Sequence, residues 1–334
     1  MDKQTILVTG GAGFIGSHVC KELHRNGYYP ITYDNLANGN KWAVKWGPLE
    51  LGDINDKEKL GSVIQKYLPF GVIHLAAYAY VGESVHDPAK YYLNNVKGTI
   101  SLLESIREHG ICKIVFSSSC AVYGNPSSVP ITEEHRIDPI NPYGSTKMII
   151  ERMLKDYGVA YGLNSISLRY FNAAGADPDS EIGECHVPET HLIPICFNAA
   201  MGIIDSVEIY GNQYPTDDGT CIRDYIHVSD LARAHVLALQ LLKTTSAALS
   251  FNLGAGKGYS VKQVIRAVER ITSRKIPNKI VKARSGDPPV LVADPAKAQL
   301  CLKWKAQHID INAIIQDAWR FHQTMQNEMN LGGI

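Results

Sequence analysis

Short apolar runs separated by longer amphipathic stretches dominate the first half of the chain. Residues 6–9, 30–33, 72–77 and 113–116 are rich in β-branched and other apolar side chains, as buried parallel strands are. The intervening stretches have helical periodicity, including one from about 88 to 109. This alternation predicts an α/β fold, namely a doubly wound parallel sheet of the Rossmann type. Ligands of such sheets bind at the carboxyl ends of the strands.

The first strand ends in a glycine-rich turn that leads directly into a helical pattern at 17–25. Glycine occupies positions 10, 11, 13 and 16 of this turn. Strand, turn and helix together aim free backbone N–H groups at a phosphate. The second strand ends in Asp34, whose carboxylate can accept hydrogen bonds from an adenosine ribose and repels a 2′-phosphate. Glycines spaced G-x-x-G-x-x-G also occur in ordinary turns, but their register with Asp34 predicts NAD binding.

Two segments after Asp34 are open to two interpretations. The polar loop 35–40 could close over an adenosine, although surface loops of this composition are common. Asp53 could meet the adenine amino group, or it could be the N-cap of a helix that starts at Lys57.

Hydroxyl groups cluster where the strand at 113–116 should end, at Ser117, Ser118 and Ser119. Further on, Asn141 is a suitable N-cap with proline at the first helical position, which places Tyr143 and Lys147 one turn apart on one helix face. A Y-x-x-x-K match alone also fits a solvated pair, because the chain has 17 tyrosines. The position of this pair after a hydroxyl-rich strand end favours a catalytic role over that of a solvated pair.

Oxidation of a sugar hydroxyl requires a base that works near neutral pH, whereas a free phenol has a pKa of about 10. A lysine ammonium and an oxidised nicotinamide ring nearby can together lower the phenol pKa. A serine hydroxyl can share the moving proton. We therefore expect Tyr143, Lys147 and Ser119 to be the catalytic residues when NAD⁺ is present.

Several motifs together resemble the extended short-chain dehydrogenase/reductase family. They are T-G-G-A-G-F-I-G from Thr9, S-S-S-C-A-V-Y-G from Ser117, N-P-Y-G-S-T-K from Asn141 and R-Y-F-N from Arg169. Within the family, V-G-E-S from Val81, D-G-T-C-I-R-D-Y-I-H-V from Asp218 and R-S-G-D from Arg284 resemble the UDP-sugar 4-epimerases. The family's dehydratases carry Thr-Asp-Glu where this chain has Ser-Ser-Cys at 118–120, so elimination and decarboxylation are disfavoured.

The resemblance implies a bound NAD, a UDP-sugar substrate and transient hydride transfer at C4 that interconverts UDP-galactose and UDP-glucose through a 4-keto intermediate. It also implies a homodimer built on helices near 95–109 and 143–158. The residues expected at the cofactor are Gly10, Gly13, Phe14, Ile15, Gly16, Asp34, Asn35, Asn38, Asp53, Ile54, Leu75, Ala76, Ala77, Asn95, Ser117, Tyr143, Lys147 and Tyr170.

The family pattern places nucleotide-sugar contacts mainly in the second half of the chain. Arg223 and Arg284 match a diphosphate clamp, which suits guanidinium groups because they bind phosphate oxygens in pairs. Tyr210 matches an aromatic residue against the uracil, although an ordinary strand tyrosine fits as well. The residues expected at the substrate are Ser119, Tyr143, Asn172, His191, Leu192, Tyr210, Arg223, Arg284, Asp287 and Leu291.

Three departures from the family pattern leave the sugar open. His191 replaces a common asparagine, Ala79 replaces a common lysine, and Leu291 is intermediate between the bulky and small residues held to decide whether an N-acetyl group fits. A UDP-pentose or a UDP-N-acetylhexosamine therefore remains an alternative substrate. A nucleotide-sugar dehydrogenase with net redox is a second class of function, and a non-catalytic NAD-sensing module is a third. The third is disfavoured because Tyr143 and Lys147 are both present.

We expect residues 1–172, with a return of 224–248 as a strand and helix, to form the NAD-binding domain, and 173–334 the UDP-binding domain. With 33 basic and 33 acidic residues, scattered along the chain, nucleic acid and membrane partners are not expected. Seven well-separated cysteines without a C-x-x-C pair, and a start that leaves no room for a signal peptide, predict a cytoplasmic protein. No metal site is expected.

Overall fold

The computed structural model describes residues 3–284 and 287–330, and its first half alternates strand and helix. The strands of this half are β1 (Thr5–Thr9), β2 (Tyr29–Asp34), β3 (Leu49–Leu51), β4 (Gly71–His74), β5 (Lys113–Ser119) and β6 (Asn164–Tyr170). The helices are α1 (Phe14–Arg25), α2 (Lys57–Tyr67), α3 (Val81–His86), α4 (Pro88–Tyr91), α5 (Gly98–Glu108) and α6 (Pro142–Tyr161). Short 3₁₀ turns lie at Lys41–Ala43 and Cys120–Tyr123.

The second half has shorter strands. These are β7 (Asn172–Ala174), β8 (Val207–Tyr210), β9 (Ile222–His227), β10 (Ala248–Leu253), β11 (Gly258–Ser260), β12 (Asn278–Val281) and β13 (Val290–Leu291). The helices are α7 (Leu192–Ala200), α8 (Val228–Leu241), α9 (Val261–Thr272), α10 (Ala296–Cys301) and α11 (Ile311–Asn330). Among the described residues, no helix is long and apolar enough to cross a membrane.

Seven parallel strands form the large sheet, in the order β10-β6-β5-β4-β1-β2-β3. Successive side chains of β1 enter different cores, because strand residues alternate between the two faces. Ile6 packs with Leu23 of α1 and Leu231 of α8, whereas Leu7 packs with Leu103 of α5 and Ile150 of α6. Helices therefore cover both faces, and the predicted Rossmann-type fold is confirmed.

Some element boundaries differ from the sequence pattern. The helix expected over 88–109 is divided into α4 and α5 by a π-helical turn at Tyr92–Lys97. The N-cap of α2 is Asp56, whose side chain accepts a hydrogen bond of 2.9 Å from the Lys59 N–H. The alternative in which Asp53 caps this helix is therefore wrong. β5 continues three residues beyond the apolar run and takes the serines into the sheet.

The chain segment 224–248 divides between the large sheet and a smaller, four-stranded sheet. Helix α8 packs against α1 and the large sheet. Strand β9 does not return with it, because its edges pair with β7, β11 and β13 in a four-stranded sheet. The edge beside β6 is taken instead by β10, which buries Phe251 and Leu253. Strands β8 and β12 form a separate pair.

Candidate active site

The glycine-rich turn lies against the loop that follows β4. Gly10 has a φ of +74°, and a Cβ atom there would lie 2.6 Å from the Ala76 nitrogen. A Cβ atom on Gly16 would overlap the Gly10 carbonyl oxygen. Gly13 is the N-cap of α1 and has no side chain to cap the first N–H groups, so those of Phe14 and Ile15 keep their donor capacity. This is a backbone cradle suited to a pyrophosphate.

Asp34 is buried and held next to this cradle. Its Oδ2 accepts a hydrogen bond of 3.0 Å from the Ala12 N–H, and its Oδ1 accepts one of 2.8 Å from the Leu36 N–H. Burial raises the pKa of Asp34, and these two backbone hydrogen bonds act in the opposite direction. Each carboxylate oxygen has a second lone pair, so a ribose hydroxyl can still donate to it. The cradle and Asp34 together fit a dinucleotide.

The polar loop after β2 is tied to the end of β3. Asn35 donates a hydrogen bond of 3.0 Å to Asp53 Oδ2, and the Asn55 N–H donates one of 2.8 Å to Asp53 Oδ1. Burial alone would raise the pKa of Asp53, but hydrogen bonds from Asn55 and Asn35 hold it below its usual value. Ile54 is buried, whereas Asn38 is exposed on the loop.

Asn95 is buried in the π-helical turn and fixes the segment that follows Leu75, Ala76 and Ala77. Its Oδ1 accepts a hydrogen bond of 2.9 Å from the Tyr78 N–H, and its Nδ2 donates to the Tyr78 carbonyl oxygen at 3.0 Å and to Thr146 Oγ1 at 3.2 Å. Asn95 therefore links this segment to α6. A direct contact of Asn95 with the cofactor remains a prediction.

The N-terminus of α6 is anchored at two points that determine where Tyr143 lies. Asn141 Oδ1 accepts a hydrogen bond of 2.8 Å from the Gly144 N–H, which makes it the N-cap that the sequence predicts. The Tyr143 N–H donates a hydrogen bond of 3.2 Å to Ser84 Oγ. Sequence reasoning gave Ser84 no role, although it is the last residue of the V-G-E-S motif.

The side chains of Lys147, Tyr143 and Ser119 come together at the carboxyl end of β5. Lys147 Nζ donates a hydrogen bond of 2.7 Å to the Ser117 carbonyl oxygen and lies 5.7 Å from the centre of the Tyr143 ring. Ser119 pairs in register with Tyr170, and the Ser117 hydroxyl contacts the Tyr170 hydroxyl. The structure thus brings these five predicted residues together at the carboxyl end of β5.

Burial shifts the pKa values of Lys147 and Tyr143 in opposite directions. It lowers the pKa of Lys147 to about 7, while the carboxylate of Glu151 acts in the opposite direction. Burial also raises the pKa of Tyr143, as does the neighbouring Tyr170, whereas a hydrogen bond with Ser119 acts in the opposite direction. The protein alone therefore favours the neutral phenol. The expected lowering of the Tyr143 pKa depends on the positive charge of an oxidised cofactor.

A buried ion pair that the sequence analysis missed holds Ser118, the middle one of the three serines. Arg169 binds Glu151 in a bidentate way, with Nε 2.9 Å from Oε1 and Nη2 2.6 Å from Oε2. Ser118 Oγ donates to the same Glu151 Oε1 at 2.6 Å, and Arg169 Nη1 donates to the Tyr123 hydroxyl at 2.9 Å. The spacing of Lys147 and Glu151, one helical turn apart, was the available sequence signal.

Two predicted diphosphate ligands already have partners within the protein. Arg223 forms an ion pair with Asp287, and strand β13 places Leu291 opposite Arg223. The guanidinium carbon of Arg284 lies 3.8 Å from the centre of the Tyr210 ring. An aromatic base that uses this face of Tyr210 must therefore displace Arg284 or share the face with it.

The remaining predicted substrate residues lie around β7 and α7. Asn172 begins β7 and pairs in register with Tyr225 of β9. His191 is the N-cap residue of α7, and Leu192 is the first residue of that helix. The His191 side chain contacts Glu184.

Comparisons with known proteins agree with this geometry. The model of the NAD dependent epimerase/dehydratase family matches residues 6–254. The UDP-glucose 4-epimerase of Rhizobium meliloti (strain 1021) is 49% identical over 333 residues, covering 100% of both chains. The crystal structure of UDP-glucose 4-epimerase from Brucella ovis in complex with NAD is 54% identical, with a TM-score of 0.92 over 95% of this chain and 98% of that one. The Bifidobacterium longum enzyme in complex with NAD⁺ and UDP is 37% identical, with a TM-score of 0.93 over 99% and 100%.

Proposed function

Because the chain belongs to the NAD dependent epimerase/dehydratase family, we propose that it is an NAD-dependent 4-epimerase that interconverts UDP-galactose and UDP-glucose. The observation that carries this proposal is the position of Tyr143 and Lys147 on α6, facing the serines at the end of β5. The alignment with UDP-glucose 4-epimerases over the full length of the chain supports both the cofactor and the sugar nucleotide.

The residues present fit NAD. The backbone N–H groups at the start of α1 would hold the pyrophosphate, and Asp34 would accept hydrogen bonds from the adenosine ribose. When bound, NAD⁺ would supply a reversible hydride acceptor for the sugar C4, so that a 4-keto sugar would form transiently.

Proton transfer is the task of Tyr143. Its phenolate takes the proton of the sugar 4-hydroxyl, and the phenol returns a proton when the hydride comes back to the opposite face of C4. Lys147, held 2.7 Å from the Ser117 carbonyl oxygen, stabilises the phenolate when it carries its proton. Ser119 binds the 4-oxygen and shares the moving proton.

Inversion at C4 requires the sugar to turn while the nucleotide stays bound. Arg223 and Arg284 are cations suited to the diphosphate, and Asp287 is suited to the uridine ribose. Strong binding at the diphosphate combined with a loosely held sugar permits the keto sugar to present either face.

We also propose a homodimer in a reducing compartment such as the cytoplasm. Leu93 and Ile100 are 59% and 43% exposed near α5, one of the two helices implied to form the dimer. All seven cysteines are free thiols, which suits a reducing compartment.

NMR of the purified protein with UDP-galactose, without added NAD, tests the activity. We expect UDP-glucose to form without net redox. NADH accumulation that depends on added NAD⁺ would identify a nucleotide-sugar dehydrogenase instead. Parallel reactions with UDP-xylose and UDP-N-acetylgalactosamine measure which sugars the Leu291 side of the pocket permits.

A further inference from the structure

Two glutamates and two histidines converge in the loop between β7 and α7. They are Glu184, His186, Glu189 and His191, and one ligand atom from each lies within 4.8 Å of the other three. The side chains of Glu184, His186 and Glu189 are 7%, 14% and 12% exposed. That of His191 is 48% exposed, so the cluster opens to solvent on the side of this residue.

The spacing of the donor atoms resembles that around a single metal ion. Ligand atoms about 2.1 Å from a tetrahedral ion are about 3.4 Å from one another. His186 Nδ1 lies 3.3 Å from Glu184 Oε1 and 3.7 Å from Glu189 Oε2. His191 Nδ1 is closer than this to Glu184 Oε1, and the exposed His191 ring has room to move outward.

The His186 Nδ1 atom that faces this centre is buried, and it makes no well-aligned hydrogen bond to any described residue, although two carboxylate oxygens lie 3.3 Å and 3.7 Å from it. Its imidazole is held at its edges by Phe14 and Tyr80, whose ring centroids lie 6.5 Å and 6.2 Å away. A buried polar atom without a hydrogen bond is costly unless it has another partner. A cation bound between the two carboxylates would provide one.

The cluster also has the supporting contacts that orient metal ligands. Glu189 Oε1 accepts hydrogen bonds from the N–H groups of Thr190 and His191 at 2.7 Å and 2.8 Å. These two bonds occupy Oε1 and leave Oε2 facing His186. Fixing one oxygen so that the other points at the ion is a common arrangement around bound metals.

We propose that Glu184, His186, Glu189 and His191 bind one divalent transition metal ion, for which Zn²⁺ is the best chemical match. Two imidazoles with two carboxylates suit Zn²⁺, whereas Mg²⁺ and Ca²⁺ prefer oxygen ligands alone. The sequence analysis expected no metal, and the E-x-H-x-x-E-x-H spacing at 184–191 was the signal it passed over.

The ion fastens the loop before α7 against the cofactor side of the molecule. His186 packs on Phe14, the first residue of α1, and the Cys185 carbonyl oxygen accepts a hydrogen bond of 3.0 Å from Asn40 Nδ2. With the metal bound, His191 serves as a ligand at the N-cap of α7 and sets the start of that helix.

The direct test is metal content of the full chain with its NAD. Protein stripped with EDTA is incubated with a slight excess of ZnCl₂, desalted and analysed by elemental mass spectrometry. We expect about one zinc per chain for the native protein and for His24→Ala, an exposed histidine on α1 that serves as control. His186→Ala, His191→Asn and Glu184→Gln should each retain less than a fifth of that amount.

Two further measurements distinguish a site from a folding defect. Zn²⁺ should raise the unfolding temperature of the native protein and of His24→Ala, but not that of folded His191→Asn. Co²⁺ should give the intense visible bands of a four-coordinate ion in the native protein and in His24→Ala, but not in His191→Asn. Two results would show that these residues form an ion-pair cluster without a metal. One is less than a fifth of an equivalent of zinc in the native protein, and the other is retention by the three variants equal to that of the native protein.

Discussion

Lys147 Nζ donates a 2.7 Å hydrogen bond to the carbonyl oxygen of Ser117, and this contact joins helix α6 to the end of β5. The contact holds the ammonium in a buried position, and desolvation by burial lowers its pKa to about 7. It also keeps the charge 5.7 Å from the Tyr143 ring centre, near enough to influence the phenol.

Tyr143→Phe should abolish epimerisation and leave NAD bound. Phenylalanine preserves the buried ring but removes the hydroxyl proposed as the base for the 4-hydroxyl proton. We expect kcat to fall by at least ~10²-fold, the lower range for loss of a general base. Kinetics with UDP-galactose and the NAD content of the same preparation provide the two measurements. A fully active variant would exclude Tyr143 as the base.

The low pKa of Lys147 makes stability depend on pH. Between pH 7 and 10.5 the unfolded chain keeps a proton on this lysine that the folded NAD-free protein has released. The free energy of unfolding therefore gains a term that rises with pH across this window, by at most about 1.4 kcal/mol per pH unit. Urea unfolding of NAD-free native protein and NAD-free Lys147→Met over this range should show a steeper rise with pH in the native protein. Parallel pH profiles would contradict the assignment.

The Glu151–Arg169 pair should be essential for stability. Glu151→Gln leaves the Arg169 guanidinium buried without a counter-charge, since both side chains are 3% exposed. Removing one partner of such a pair costs about 3–5 kcal/mol. The matched control is Asp156→Asn, whose ion pair with Arg152 on the same helix is 59% and 78% exposed and should contribute less than about 0.5 kcal/mol. If Glu151→Gln and Asp156→Asn lowered the free energy of unfolding in urea by the same amount, the buried pair would not be essential for stability.

Features set by neighbouring residues could be predicted from the sequence, whereas features set by contacts between distant elements could not. Asp34 and the Tyr143–Lys147 spacing were predictable because a strand end, a turn and one helical turn are local geometry. The Glu151–Arg169 pair required α6 and β6 to be placed side by side. The edge position of β10 beside β6 depended on competition between strands, which periodicity does not encode.

Gly16, in the first turn of α1, can be compared with Gly61, a glycine of α2 that lies outside the glycine-rich turn. Gly16→Ala places a methyl group against the Gly10 carbonyl oxygen, so we expect lost NAD binding and a free energy of unfolding lower by about 1–3 kcal/mol. Gly61→Ala in α2 meets its nearest neighbour, His109, at 3.4 Å and should stabilise the protein by about 0.5–1 kcal/mol. Thermal unfolding and NAD content measure both. Retained NAD in Gly16→Ala would mean that the turn tolerates a side chain.

The contact of Arg284 with Tyr210 predicts that one substitution, Arg284→Gln, weakens the binding of UDP but not that of uridine. Arg284→Gln removes a cation proposed to bind the diphosphate, so UDP should bind about 10-fold more weakly, as expected for one charged hydrogen bond. Uridine lacks phosphates, and the same change removes the guanidinium that lies 3.8 Å from the ring centre. Uridine should therefore bind equally well or more tightly.

Calorimetry with both ligands measures this difference, and Tyr210→Ala provides the complementary variant. Losing the stacking surface should weaken both ligands alike, by about 1–3 kcal/mol for one stacked base. Tyr210→Phe keeps the ring and removes the 3.0 Å hydrogen bond to Glu208, so it should bind both like the native protein. If Arg284→Gln weakened uridine as much as UDP, the arginine would act on the base and the proposed phosphate clamp would be wrong.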